Sequence, residues 1–339
     1  MQTSLVYILI ALFAWGFAFL LFVYALLLRR HLKLNYVASA LLLVGSASLI
    51  YWLIARTAEY WRQYQGFVLP ATNLFESIVF ISLLVVLFYV VADLLTGVRE
   101  FGAYVLILPL AGLVYLVAHL SGEAGMPELP PALKSYWLPF HIITMFISYA
   151  AFTMAAVVSL YYILKVRWGI GFRAIDLKHD PERIDRLSYY LVSIAYPFLT
   201  AGIFLGAVWA DQAWGRYWGW DPKETWSAIT WLLYTLYLHA RLAYGWRGLR
   251  AAIFNFIAYD AVIITFIGVN LLSSLAGIES IHSYAVGKGG LITLIVLFAL
   301  IVGPLVLAFW PTRRRVRNAP ERPEGSNSAY SLDPPKDAR

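Results

Sequence analysis

The segment with the most capacity for chemistry is WGRYWGWDPKETW, which runs from Trp214 to Trp226. Four of its residues are tryptophan, and six of the chain's 13 tryptophans lie between Trp209 and Trp231. So dense an aromatic cluster offers a flat face on which a large planar ligand could lie. The alternative is an interfacial aromatic belt, because tryptophan anchors many membrane proteins at headgroup level. Belt tryptophans would be spread over all the helix ends, whereas these are concentrated in one loop.

Two histidines are expected on the same membrane face as the tryptophan-rich loop. His141 lies about four residues into a predicted span, and His282 lies in the loop between the last two spans. Neutral imidazoles that approach from opposite sides are the usual axial pair of a b-type haem iron. Each histidine alone is equally well an interfacial residue without a ligand, but their location beside the aromatic loop favours haem. His31, His119 and His179 are better interpreted as surface histidines.

His239 is expected at the opposite depth of the membrane. It lies within a predicted span and follows Asp221, which precedes that span, by eighteen residues; this places it ~27 Å further along a helix. Ionisable residues inside spans are costly and are functional candidates by default. The alternative is a group that snorkels to the interface. The sequence offers no clear second ligand at that depth, so a partner subunit could supply one.

The residues after the tryptophans predict the start of a helix. Asp221, Pro222 and Glu224 match the N-cap, N1 and N3 positions of a capping box. For Glu224 this structural interpretation is preferred over a chemical one. Arg216 and Lys223 are the cations closest to the proposed platform. They could pair with haem propionates, or equally with lipid headgroups.

Composition predicts an all-α polytopic membrane protein. The 339 residues are 61% hydrophobic and 13% charged, with a mean hydropathy of +0.70, which excludes an ordinary soluble domain. The first apolar run lacks a basic start and a cleavage site, so it is expected to be retained. Nine transmembrane helices are predicted, at about 4–28, 34–55, 71–95, 102–120, 137–164, 188–210, 226–244, 251–275 and 290–310.

The net charge of +7 bears on orientation, and no nucleic-acid partner is expected. Seventeen basic residues lie in or beside the loops of one side, against six on the other. The positive-inside rule then places the N-terminus outside, the C-terminus inside and the tryptophan-rich loop on the outer face. The chain has no cysteine, which is compatible with thiol-bearing clients. Its organisation is predicted as N-terminal helices over 1–66, a membrane core over 67–311 and a disordered cytoplasmic tail over 312–339.

Several motifs together resemble the CcsA (ResC) family of cytochrome c biogenesis proteins. The tryptophan-rich segment looks like the WWD signature of haem-handling membrane proteins. PATNLFES, from Pro70 to Ser77, looks like the family's outer NLYES segment. HIITMFISYAAF and the GVNLL segment with a later HSY resemble its two external-histidine motifs, and WSAITWLLYTLYLHAR resembles its transmembrane-histidine span. The family often has eight spans, so eight rather than nine is possible here.

The resemblance implies a haem-presenting subunit of a System II cytochrome c synthetase in the bacterial plasma (inner) membrane. With a CcsB (ResB)-like partner, it would move haem b to the outer face and position the vinyl groups for thioether attachment to the CxxCH motif of apocytochrome c. His239 would be the inner iron ligand, and His141 and His282 would be the outer axial pair. The platform would consist of Trp214, Gly215, Trp218, Trp220 and Asp221.

Two other functions compete with this one. A membrane haem or quinone redox subunit would normally carry paired histidines at both depths, and it would leave the tryptophan-rich loop unexplained. A non-catalytic transporter would show spans broken by glycine or proline at the midplane, together with internal repeats. Neither pattern is clear in this chain. Asp260, inside a predicted span, is expected to be an interhelical hydrogen-bonding group or a proton-carrying one.

Overall fold

The computed structural model describes residues 2–28, 32–119, 125, 128–168 and 181–269, and within these ranges all regular structure is helical. The predicted ninth span, His282 and the tail lie outside the described residues. Short 3-10 turns cover Arg99–Phe101 and Pro131–Lys134, and a π-helical turn covers Ile264–Gly268. The α-helices are α1 (Gln2–Leu28), α2 (Leu32–Tyr64), α3 (Leu74–Thr96), α4 (Gly102–His119), α5 (Trp137–Trp168), α6 (Pro181–Trp214), α7 (Pro222–Ala243) and α8 (Leu249–Ile263).

Seven helices of the described part are long and apolar enough to cross a membrane. They are α1 to α6, and α8 with its π-helical extension. Helix α7 is more polar, because it carries Lys223 and Glu224 at its start and His239 and Arg241 near its end. Its 22 residues still reach about 33 Å at 1.5 Å per residue, enough for the hydrocarbon layer. The fold class predicted from composition, an all-α polytopic membrane protein, is confirmed.

Two helices begin or end well beyond the predicted spans, and charge explains both differences. Helix α2 continues to Tyr64, past the predicted end at 55, because Arg56 is paired with Glu76 of α3 at 2.8 Å. Helix α6 already begins at Pro181, and its Asp185 is paired with Arg241 of α7 at 2.7 Å. A span predicted from hydropathy ends at the first charged residue. The helix itself can continue when that charge is paired and hydrogen-bonded.

Helix α5 lies at the centre of the bundle. Within its apolar window 83% of the residues are buried, against 28% for α1 and for α6. Small residues make this possible, because Ala150, Ala151, Ala155 and Ala156 let neighbouring helices approach closely. Helices α6, α8 and α3 pack directly on α5. The helix that carries His141 is therefore the one whose position is most tightly determined.

The segments that follow α2, α4 and α6 lie together at one end of the bundle. The Trp209 indole of α6 donates to the Ala132 carbonyl in the segment after α4. The Leu129 amide of that same segment donates to the Tyr64 hydroxyl at the end of α2. We call this end the outer end, following the orientation predicted from the basic residues. The tryptophan-rich loop and the start of α5 both belong to it.

Candidate functional site

A cavity of about 950 Å³ lies at the outer end, between the central helix and the loops. Its volume is at the upper end of the range for ligand-binding pockets, roughly 300 to 1,000 Å³. Much of its wall is apolar or aromatic, which suits a large ligand with few polar groups. Residues of six different parts of the chain line it: Thr72, Asn73 and Leu74; Glu128, Leu129 and Pro130; His141, Ile142, Met145, Phe146 and Tyr149; Trp209, Trp214 and Trp218; Lys223 and Glu224; and Thr265 and Phe266.

The His141 imidazole is half-buried in the cavity wall and held by a backbone hydrogen bond. Its Nδ1 lies 2.8 Å from the Gly202 carbonyl oxygen of α6. Since a carbonyl can only accept, this contact assigns a ring proton to Nδ1, and in the neutral ring Nε2 is then the basic nitrogen. Metal-binding histidines commonly donate their second ring nitrogen to such a carbonyl, which fixes tautomer and orientation. The neutral tautomer with its proton on Nδ1 is the form in which His141 could ligate a metal through Nε2.

Gly206 makes room for this imidazole on α6. A Cβ atom added at Gly206 would lie 2.7 Å from both Cε1 and Nδ1 of His141. Real side chains do not approach that closely, so any larger residue would push the ring out of its place. No pattern in the sequence assigns a role to Gly206. Its spacing of four residues from Gly202, on the helix opposite His141, is a signal that becomes readable only once α5 and α6 are known to pack together.

Trp209 backs the His141 ring. The two ring planes are stacked, with centroids 5.8 Å apart and an interplanar angle of 18°. Trp214 contacts Trp209 edge-on, with the centroids 4.8 Å apart. Trp209 was counted in the aromatic cluster from sequence but was not assigned to the platform. Trp209 stacks on the proposed ligand histidine, whereas Trp220 of the predicted platform stands outside the cavity lining.

Within the tryptophan-rich loop, the predicted platform residues divide into two groups. Trp214 and Trp218 line the cavity, whereas Gly215, Trp220 and Asp221 stand outside its lining. The Trp220 side chain is 73% exposed, and its backbone adopts a left-handed conformation with φ of 56°. That conformation costs a non-glycine residue about 1 to 2 kcal/mol. Strained residues of this kind concentrate at functional sites, and an exposed indole is available to a partner or a ligand.

The capping box predicted at the start of α7 is confirmed. The Asp221 side chain accepts from the Lys223 amide at 3.0 Å, and the Glu224 carboxylate accepts from the Asp221 amide at 3.1 Å. The same Glu224 oxygen also accepts from the Gly219 amide at 2.7 Å. Amides on both sides of Trp220 therefore bind one carboxylate oxygen. This contact explains why the chain turns so tightly at Trp220.

Lys223 is the cation that lines the cavity, together with Glu224. Burial lowers the pKa of Lys223 to about 8, and the neighbouring Asp221 carboxylate opposes this shift. The ammonium group therefore loses its proton at a lower pH than a solvent-exposed lysine does. Arg216 instead folds back on the loop, where its guanidinium fills the space beside Gly219. Of the two predicted cations, only Lys223 faces the cavity.

The NLFES segment forms another part of the wall. Asn73 caps α3 by accepting from the Glu76 amide at 2.8 Å. Glu76 is fully buried and is paired with Arg56, which is 4% exposed. The sequence motif was used only for its resemblance, and neither charged residue was singled out. A charge inside a predicted span is a signal that could have drawn attention to Glu76, which lies within the predicted span 71–95.

The histidine expected at the inner depth has a different environment. His239 lies on α7 four residues before its end, as predicted, but its side chain is exposed and stands outside the cavity lining. Its ring contacts Tyr244 edge-on, with the centroids 5.4 Å apart. His282 lies outside the described residues. Within the described part of the chain, no three His, Cys, Asp or Glu side chains form a group that could hold a metal ion alone.

Comparison with known proteins places the chain in a family. Residues 71–276 match the family model described as Cytochrome C assembly protein. Cytochrome c biogenesis protein CcsA of Heterosigma akashiwo is 37% identical over 261 residues, which cover 66% of this chain and 79% of that protein. CcsA of Synechococcus elongatus is 34% identical over 260 residues, covering 63% and 78%. CcsA of Chlamydomonas reinhardtii is 37% identical over 223 residues, covering 63% and 60%.

Among solved structures, the cytochrome c haem lyase CcmF has a similar fold, with a TM-score of 0.64. It shares 17% sequence identity, and the match covers 91% of this chain and 51% of the CcmF chain. At that identity the likeness concerns the fold alone. The matched region of the family model includes the NLFES segment, His141, the tryptophan-rich loop and His239. The chain belongs to the cytochrome c assembly protein family.

Proposed function

We propose that this protein is the haem-binding and haem-presenting membrane subunit of a cytochrome c synthetase. Family membership supports a role in cytochrome c maturation at the coarser level. The observation that carries the finer proposal is His141, an imidazole held through Nδ1 by the Gly202 carbonyl in the wall of a cavity of about 950 Å³. Haem b fits the donor set, because one basic imidazole nitrogen, several indoles and one cation are its usual protein partners.

The residues of the cavity would share the work of holding haem. His141 would supply one axial ligand, and His282 remains the proposed second. Trp214 and Trp218 would face the macrocycle, and Lys223 would pair with a propionate. Such pairing would keep the ammonium charged despite the burial that lowers its pKa. Glu224 would act indirectly, by fixing the turn that carries Trp218 and Trp220.

Thioether formation adds a cysteine S–H across a vinyl C=C bond, with one new C–S bond, one new C–H bond and no net redox change. When bound, haem supplies those vinyl groups. The protein's contribution is then to position them at the outer face beside the client's CxxCH thiols, and positioning alone can supply a large rate factor. Because this chain has no cysteine, its own side chains cannot compete with the client for the vinyl groups.

The inner site would be completed by another subunit. His239 is exposed near the inner end of α7, where it could ligate haem together with a residue of a CcsB-like partner. The orientation supporting this assignment is the one predicted from the basic residues. In this proposal haem is taken up at His239 and presented at His141, in the bacterial inner membrane. The enzyme would then be the two-subunit assembly, a holocytochrome c synthase.

An absorption spectrum of the co-purified subunits tests the axial assignment. His141→Gly should give a weak and unstable outer haem signal that free imidazole restores, because imidazole can occupy the space of the missing ring. His119→Gly is the matched control, since His119 is an exposed histidine at the same end of the bundle and outside the cavity lining. A normal spectrum for His141→Gly without imidazole would overturn the assignment.

A further inference from the structure

The segment after α4 crosses the cavity as a strap. We define the strap as residues 128–135, which include the 3-10 turn Pro131–Lys134. Five of its residues line the cavity, so the strap is one of the cavity's walls. It contains no long helix, and its position depends on contacts with its neighbours. Those contacts lie on two sides, at α2 and at α6.

On the α2 side, the strap is held by packing and by one hydrogen bond. Leu129 is 7% exposed and forms a small buried cluster with Tyr60 and Val68. The Leu129 amide donates to the Tyr64 hydroxyl at 3.3 Å. The Lys134 ammonium lies 5.2 Å from the centre of the Tyr64 ring. This end of the strap therefore rests on the last turns of α2.

On the α6 side, the strap is joined to the residues around His141. The Trp209 indole donates to the Ala132 carbonyl at 2.9 Å, and the same indole stacks on the His141 ring. One turn further along α6, Gln212 accepts from the Ser135 hydroxyl. Because Trp209 has both contacts, a displacement of the strap would be transmitted to the imidazole.

A buried charged pair organises the α2 side. The Arg56 guanidinium donates through Nε to Glu76 at 2.8 Å and through Nη2 to the Gly125 carbonyl, just before the strap. Glu76 accepts from the Tyr60 hydroxyl at 2.8 Å, and from the Thr72 amide and hydroxyl at 3.0 and 2.8 Å. Thr72 and Gly125 both line the cavity. The pair thus fixes two parts of the cavity wall at once.

Stability alone does not explain why Arg56 and Glu76 form a buried charged pair. Replacing a buried ion pair by well-packed apolar residues is often neutral or stabilising. An apolar pair could fill the same volume, but it could not bind the backbone at Thr72 and Gly125. A guanidinium can reach several acceptors in one plane, which lysine cannot do. The chemistry of this pair therefore fits a role in orienting the cavity wall.

We infer that Arg56 and Glu76 are positioning residues, which order the strap so that it retains the planar occupant of the cavity against His141. This inference rests on the proposed function for the identity of the occupant. Arg56 lies on α2, outside residues 71–276 that match the family model. Helix α2 then contributes to the site through Arg56, although it supplies no ligand.

Strap order can be measured without any ligand. The chain has no cysteine, so Glu128→Cys provides a single attachment point for a nitroxide on an exposed strap residue. Arg56→Lys should raise the label's mobility in the electron paramagnetic resonance spectrum of the full chain, because lysine keeps the charge but cannot reach both Glu76 and Gly125. Arg62→Lys, an exposed change on the same helix, should leave it unaltered. Unchanged mobility in Arg56→Lys overturns the positioning role.

Retention of the occupant is measured on the haem-loaded assembly with its partner. Transfer of haem to apomyoglobin should be about tenfold faster in Arg56→Lys than in Arg62→Lys, with equal helix content by circular dichroism. Tyr64→Phe, which removes only the hydroxyl that accepts from Leu129, should show a smaller increase in the same direction. Equal transfer rates overturn the retention role. If the unaltered assembly binds no haem, the proposed function fails, and strap mobility alone decides whether Arg56 orders the strap.

Discussion

His141 and His239 lie toward opposite ends of the same bundle, and their surroundings differ in almost every respect. His141 is half-buried, hydrogen-bonded through Nδ1 and backed by an indole, and it lines a cavity of about 950 Å³. His239 is exposed on α7, with an edge contact to Tyr244. A second described cavity, of about 120 Å³ near the inner end, includes neither histidine. The described part of the chain organises the outer site far more completely than the inner one.

The packing of the helices also differs between the outer end and the region further inside the bundle. Between α5, α6 and α8 the interior is closed by hydrogen bonds among Ser159, Ser188 and Asn255, at 2.8 to 3.2 Å. Such interhelical bonds hold the three helices together. At the outer end, a cavity of about 950 Å³ lies between α5 and the loops. His141 therefore lines an existing space, whereas His239 is exposed at the surface of the described part of the chain.

The largest expected effect concerns the support of His141. Gly206→Ala should lower outer haem affinity by about 10- to 100-fold, the usual effect of disturbing a ligand's supporting shell, because its Cβ would collide with the ring. Haem titration followed by absorption spectroscopy measures it. Gly16→Ala is the matched control, since a Cβ there has nothing within 4 Å. Equal haem affinities for both variants would contradict the inference that the backbone at Gly206 supports His141, and with it this difference between His141 and His239.

The second prediction tests whether haem binding at His239 needs a residue of another subunit. His239→Ala should leave the haem spectrum of the isolated chain unchanged, because the exposed ring has no described companion ligand. In the assembly with the CcsB-like partner, the same variant should lose about tenfold in haem occupancy. Tyr244→Ala tests the neighbouring ring contact and should change occupancy less than His239→Ala. A loss already present in the isolated chain would contradict the inference that the two sites differ in this way.

The third effect is a dependence on pH at the outer site. Burial lowers the pKa of Lys223 to about 8, so the side chain is a cation below that pH and becomes neutral above it. If it pairs with a propionate, haem retention should be highest below about pH 8 and fall by about fivefold as the pH rises through the pKa. Propionate pairing itself raises the pKa, so the fall is expected at pH 8 or above.

Lys223→Arg and Lys223→Met are the controls for this measurement, because the first side chain is always charged and the second is always neutral. Arginine stays charged throughout, so haem retention by Lys223→Arg should be independent of pH from about 7 to 10. Retention by Lys223→Met should be equally independent of pH but at the low level. If all three proteins release haem at the same rate at every pH, the cation in the cavity does not contact the ligand.

The smallest expected effect concerns the loop that carries the tryptophans. Asp221→Ala removes the N-cap of α7 and should cost about 1 kcal/mol. Thermal denaturation in detergent should show this as a lower midpoint. Asn73→Ala removes the equivalent cap of α3 and should cost a similar amount. A clearly larger loss of haem affinity for Asp221→Ala than for Asn73→Ala would show that the cap at α7 also orders the platform.

Local features of the site could be read directly from the sequence. The capping box at Asp221 and Glu224, the position of His141 one turn inside α5, and the position of His239 near the end of α7 each depend on a few neighbouring residues. Motifs identified the family correctly for the same reason. Helix ends at charged residues were placed less well, because pairs such as Arg56 with Glu76 join residues 20 positions apart.

Several residues of the site became visible only in three dimensions. Gly206 has a role because α5 packs on α6, and Trp209 because its indole reaches both His141 and the strap. The division of the platform, with Trp214 and Trp218 facing the cavity and Trp220 turned outward, follows from the turn that Glu224 imposes. Orientation in the membrane stays a prediction of the basic residues, and so does the role of His282.

The sequence by itself determined the membrane class, the family and most of the helical segments, and it supplied the residues now proposed to hold haem. These depend on hydropathy, local capping and short motifs, which act over a few turns of chain. The tertiary structure decided which of those residues share a cavity, which nitrogen of His141 carries the proton, and which backbone supports it. Those properties arise from contacts between helices distant in sequence, and no local pattern encodes how closely two such helices approach.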